Sequence, residues 1–130
     1  MAVPQPKIVV VVDDYEVVTA GGGSPLQALV PFVAMAGEVN LHVVLARRTA
    51  GASRGVFEPA FSAVRDSGSV GLLFSGDRSE GQLIGTVRPA RLPTGRAQLV
   101  RTGEPVITVQ VALPEDAEEP LEGHGFGMTD

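Results

Sequence analysis

The sequence predicts an α/β fold: a mainly parallel sheet with flanking helices and a C-terminal β-hairpin. Three observations carry this. Ile8 to Val12 are five consecutive β-branched apolar residues with no period of two, so both faces of that strand are expected to be covered, as in the centre of a parallel sheet. Strand-like and helix-like stretches then alternate as far as Phe74. Finally, Arg96–Arg101 and Pro105–Leu113 flank the turn residues Thr102-Gly103-Glu104, which reads as a hairpin.

The elements follow in order. Residues 1–6, with two prolines, form a lead-in to the first strand. Tyr15 to Thr19 are expected to prolong that strand briefly before the flexible Gly21-Gly22-Gly23 loop. A helix is predicted from Ser24, with Ser24 as cap, Pro25 in the first turn and Gln27 closing a capping box. Leu26, Leu29, Val30 and Val33 give it one apolar face. Pro31 lacks a backbone donor and should kink it between Gln27 and Pro31, and Gly37 helps to end it.

Leu41 to Ala46 is a second buried strand, ending in Arg47-Arg48-Thr49. A helical segment follows from about Ser53 to Asp66, with Pro59 marking the first turn of its main part. Val70 to Phe74 is the third strand. Residues 78–85 read as a short helical turn, and Pro89 and Pro93 make 87–95 irregular. In the hairpin, Ile107, Val109 and Val111 share one face.

The charge is unevenly spread. All ten basic residues precede Pro114, against nine acids there, and the remaining six acids follow it unpartnered. The expected organisation is therefore one domain over 1–113 and an acidic, disordered tail over 114–130. The arginines are scattered, which argues against a nucleic-acid footprint. No apolar run reaches the ~20 residues of a membrane span, and no signal-peptide pattern is present, so a cytoplasmic chain without direct membrane insertion is expected. With no cysteine, disulfides and thiolate metal sites are excluded. His42 and His124 lack ligand partners at metal-binding spacing.

Asp13 and Asp14 end the first strand, where α/β sheets bind ligands. A phospho-acceptor receiver would need an acid at the end of a later strand and a lysine at the end of the last. Here Arg47-Arg48 end the second strand and Lys7 is the sole lysine. A metal-dependent adhesion site needs Asp-x-Ser-x-Ser, whereas Asp13-Asp14-Tyr15-Glu16-Val17 has no serine. Four apolar residues, an Asp and a second acid also make a Walker B pattern, which is weak evidence alone.

The wider context is more specific. Ile8 to Tyr15, Ser24-Pro25-Leu26, Leu41 to Arg48, Gly51-Ala52-Ser53-Arg54, Leu73 to Gly81, Val87-Arg88-Pro89 and Leu92 to Ala97 follow in register. Together they resemble the C-terminal half of the last FtsK/SpoIIIE-like ATPase domain of EccC proteins of type VII secretion. The resemblance covers about residues 7–112 and implies a partial P-loop NTPase (RecA/FtsK-like) domain. It implies Asp13 as the Walker B aspartate, holding Mg²⁺ through water, and Asp14 as the catalytic acid that polarises the attacking water. It places Arg47 and Arg48 in the sensor region beside the γ-phosphate of ATP, with a surface role for both left open. DNA-pumping relatives usually carry Glu where Asp14 stands, which puts hydrolysis in doubt.

A Walker A motif needs Gly-x-x-x-x-Gly-Lys, and Lys7 has no glycine before it. ATP and Mg²⁺ are thus expected to bind only with a Walker A half, supplied upstream or by a separate chain. Hydrolysis is not expected from this chain alone, and its exposed sheet edges should make it self-associate. The resemblance further implies a hexameric, membrane-associated machine at the cytoplasmic face of the cell membrane. Its substrates would be small helical-hairpin proteins. The alternative is a catalytically degenerate binding or scaffold module that recognises export signals without hydrolysis.

Overall fold

The computed structural model describes residues 3–115. The acidic tail expected over 114–130 lies almost wholly outside these residues. The element order is β1 (Ile8–Val12), α1 (Tyr15–Val18), a 3-10 turn (Gln27–Leu29), α2 (Val30–Val33), β2 (Leu41–Leu45), α3 (Ala52–Gly55), α4 (Pro59–Asp66), β3 (Gly71–Phe74), a second 3-10 turn (Arg78–Glu80), β4 (Arg96–Val100) and β5 (Ile107–Gln110). The α/β class holds, with two mixed-character sheets. β1 and β2 form a parallel pair, with Ile8 opposite Leu41 and Val12 opposite Leu45. β3, β4 and β5 form an antiparallel sheet in that order, so the third strand joins the hairpin and not the parallel pair.

In the parallel pair one face is covered. Leu41 is buried, and Val10, Val12, Val43 and Leu45 are half-buried, with α2 packed against β2 and α4. The other face carries Val9, Val11, His42 and Val44, all exposed. The expectation that both faces of β1 are covered is therefore corrected. Val11 is 66% exposed. An unbroken apolar run specifies a strand that can be covered on both sides, and only one side finds a partner in this polypeptide. His42, placed inside an apolar strand, turns out to lie on that open face.

Local chemistry explains the other departures. Tyr15–Val18 forms a helical turn and not a strand extension, because the chain turns at Asp14. The helix expected from Ser24 starts later. Leu26 precedes the 3-10 turn and Pro31 falls in the first turn of α2, where its missing N–H costs nothing. Ser24 is not a cap; its hydroxyl donates to the Glu58 carboxylate instead. The Ser53–Asp66 segment breaks into α3 and α4, and Pro59 does open α4, with Glu58 as N-cap accepting from the Phe61 amide at 2.8 Å.

A small core joins the two sheets. Ala52 and Val56 pack with Leu73 and Leu83, and Phe61, Ile84 and Val87 close around them. At the ends of β2 and β3 the chain passes very close to itself. A Cβ on Gly76 would run into Thr49 Cγ2 and would lie 3.0 Å from Pro89 Cβ. Gly76→Ala is therefore expected to lower stability by about 1–3 kcal/mol through overpacking, read as a reduced urea midpoint with an unchanged slope.

Candidate functional site

The carboxyl end of the parallel pair is built by three main-chain bonds. Ala46 N donates to Val12 O at 2.9 Å, and Tyr15 N donates to Ala46 O at 2.9 Å. Between these anchors Asp13 and Asp14 leave the strand. The Asp14 amide donates to Asp13 Oδ1 at 2.9 Å, and Asp14 takes a left-handed conformation, φ 48° and ψ 50°. Both carboxylates are exposed. Asp and Asn tolerate that region better than longer side chains, so the backbone supplies a physical reason for Asp at this position.

Tyr15 follows directly and is completely buried. Its hydroxyl donates to Glu58 Oε2 at 2.7 Å, and its ring lies 5.9 Å from that of Phe61. Burial, reinforced by the hydrogen bond to Glu58, pushes the Tyr15 hydroxyl pKa far up, so the phenol stays neutral. Burial opposes the charge on Glu58 as well. Hydrogen bonds from Ser24, Tyr15 and the amides of Phe61 and Ala60 outweigh it and hold the carboxyl below its ordinary value.

The two arginines diverge. Arg47 leans over the Phe61 ring at 5.9 Å and fills the space beside Gly55, where its guanidinium would collide with a Cβ. Arg48 donates through Nε to Glu16 Oε1 at 2.9 Å. Glu16 is held below its ordinary value by its own backbone amide first, with the Arg48 guanidinium adding to it. Among the described residues neither arginine is ion-paired to Asp13 or Asp14. The strand pairing thus brings Asp13, Asp14, Arg47 and Arg48 to one end of the pair, while the side chains point to separate neighbours.

An apolar cleft of about 480 Å³ opens between β2 and β3. Arg47, Arg48 and Thr49 line it together with Leu45, Phe61 and Phe74; Asp13 and Asp14 do not. Among the described residues no group of three or more His, Cys, Asp or Glu side chains could hold a metal ion by itself. A water-mediated Mg²⁺ beside Asp13 is compatible with that donor set only if phosphate oxygens supply the remaining contacts. No described helix is long and apolar enough to cross a membrane.

Two structural acids were not singled out from the sequence. Glu58 was legible in principle as an acid immediately before a helix-opening proline. Glu80 accepts from the Gly51 and Ser53 amides at 2.8 and 3.1 Å, a long-range contact with no local signature.

No protein-family model matches the chain. It is 46% identical over 107 residues to the ESX-4 secretion system protein EccC4 of Mycobacterium tuberculosis, a match covering 82% of this chain and 9% of that protein. It is 37% identical over 109 residues to the ESX secretion system protein EccC of Thermomonospora curvata, covering 84% of this chain and 8% of that protein. Among solved structures it is similar to the cytoplasmic domain of the T. curvata type VII secretion ATPase EccC, with a TM-score of 0.76 and 36% identity over 84% of this chain and 13% of that one. T. curvata EccC (ATPases 2 and 3) in complex with a signal sequence peptide gives the same TM-score of 0.76 and covers 20% of that chain. The chain thus spans less than a tenth of the length of these two curated relatives. It belongs to the EccC family as a segment of one of its ATPase domains.

The site geometry sets two expected outcomes. Glu58→Ala should cost about 1–2 kcal/mol through loss of the α4 cap alone. The folded pKa of Glu58 is depressed, so its contribution is present above the ordinary value of 4.5 and fades as pH falls through the lower folded value. Urea titrations of the native chain and Glu58→Gln should therefore differ at neutral pH and converge in acid. At Asp14, Gly should keep or raise the melting temperature, whereas Glu should cost roughly 1 kcal/mol, because it must hold a left-handed backbone.

Proposed function

We propose that this chain supplies the Walker B and sensor side of a nucleotide site in a type VII secretion ATPase module. The observation that supports this most directly is the parallel pairing of β1 and β2, which sets the Asp13-Asp14 pair beside the Arg47-Arg48 pair at the carboxyl ends of the strands. Asp13 holds Mg²⁺ through water, and Asp14 orients the attacking water. Arg47 and Arg48 face phosphate or a neighbouring subunit's acid once their present partners, Phe61 and Glu16, release them. ATP and Mg²⁺ are bound only when a phosphate loop from another segment completes the site. The module works at the cytoplasmic side of the membrane as part of a larger oligomer, and it helps to recognise exported substrates. The solved complex of a T. curvata relative with a signal sequence peptide favours substrate recognition.

A second reading is supported by one feature of this chain. Asp14 is short, exposed and held in a left-handed turn, a poor platform for positioning water. In that reading the segment is a binding module that recognises export signals without hydrolysis.

Joining the chain to the phosphate-loop half of a relative separates the two. The motor reading expects ATP turnover that Asp13→Ala abolishes and Asp14→Glu alters by tenfold or more. The binding-module reading expects no turnover, with signal peptides still bound. The chain alone is expected to show no micromolar ATP–Mg²⁺ binding by calorimetry; such binding would overturn the need for a second segment.

A further inference from the structure

The main-chain hydrogen bonding of the two sheets is unfinished on edges that face each other. β2 gives one edge to β1 through Asn40 O and through both polar groups of Ala46. Alternate residues of a strand turn their N–H and C=O to opposite edges, so Val43 and Leu45 turn theirs to the other side. Among the described residues no strand pairs there, and β3 is likewise paired on one edge only, with β4. The 480 Å³ cleft lies between these edges. A further hollow of about 90 Å³ continues it, sharing Leu45, Phe61 and Ile84. The walls are apolar and incompletely covered: Val44 is 53% exposed, Leu72 45% and Phe74 39%.

Unpaired amides and carbonyls set among apolar side chains are met together by one kind of ligand, an extended apolar segment that adds as a strand. We infer that the cleft is a slot for a single β-strand, which inserts between β2 and β3 and joins the two sheets into one. The direction follows from the connection. β2 passes to β3 through α3 and α4, and a helical crossover of that kind joins parallel strands of one sheet. The inserted strand therefore runs parallel to β2 and emerges beside Asp13 and Asp14. Thr49 resting on Gly76 closes the cleft at that end, and the incoming chain opens this contact. The occupant is the strand that carries the phosphate loop. Its identity rests on the function proposed above, and the curated relatives extend far enough beyond the matched region to hold it.

The full chain is mixed with a polypeptide containing the strand, glycine-rich loop and helix of the mycobacterial relative's ATPase domain, and separately with its strand alone. Amide hydrogen exchange is followed residue by residue. The expected result is at least tenfold slower exchange at Val43 and Leu45, with the free edge of β5 unchanged. Leu72→Glu should weaken binding tenfold or more, and Phe57→Glu, which is 77% exposed away from the cleft, should not. Unchanged exchange at Val43 and Leu45 under saturating polypeptide would overturn the inference, as would protection confined to the edges of β1 or β5. Wild-type exchange decides the matter should Leu72→Glu fail to fold. Protection without ATP binding by the complex would leave the slot standing and remove the nucleotide reading instead.

Discussion

The carboxyl end of the parallel pair depends on one buried contact, the Tyr15 hydroxyl on the Glu58 carboxylate. A phenol with no exposed surface needs a partner for its O–H, and Glu58 needs donors to stay charged while half-buried. Each satisfies the other. The same carboxylate caps α4 and receives the Ser24 hydroxyl, so a single side chain ties the loop after α1, the start of α4 and the residue following the acid pair. Asp13 and Asp14 inherit a fixed position from this anchor, although neither touches it.

Around that anchor the molecule is strongly asymmetric. One face of the β1–β2 pair is packed by α2 and the other is bare valine. The core that links the two sheets is small, and several large apolar side chains remain in solvent. Apolar surface of this extent on a short chain usually marks a place for another polypeptide. The separation of Arg47 and Arg48 belongs to the same picture. Without a phosphate to share, one arginine settles on an aromatic ring and the other on Glu16, whose ion pair is largely exposed and contributes little stability.

The left-handed Asp14 links backbone and chemistry. A longer acid at that position would occupy backbone space that disfavours it, so the Asp is as readily explained by the turn as by catalysis. This is why stability and turnover must be measured on the same substitutions before a role is assigned to the side chain.

The sequence by itself determined the strands, their order and the placement of the acids. Runs such as Ile8–Val12 and Leu41–Leu45 are too β-branched and apolar to be anything but strands. Pro59 announced the start of α4 through its fixed φ and missing donor. The resemblance to EccC ATPases was also legible, because it rests on motifs in register along the chain. Local pattern could not reveal where Ser24 sends its hydroxyl, that Tyr15–Val18 coils, or that β3 joins the hairpin and leaves a cleft beside β2. Those outcomes were decided only in the tertiary structure, since each depends on a partner distant in sequence: Glu58 for Ser24 and Tyr15, and β4 for β3. Covering of a strand is likewise a property of what lies against it, and no run of valines encodes whether its second face will be met.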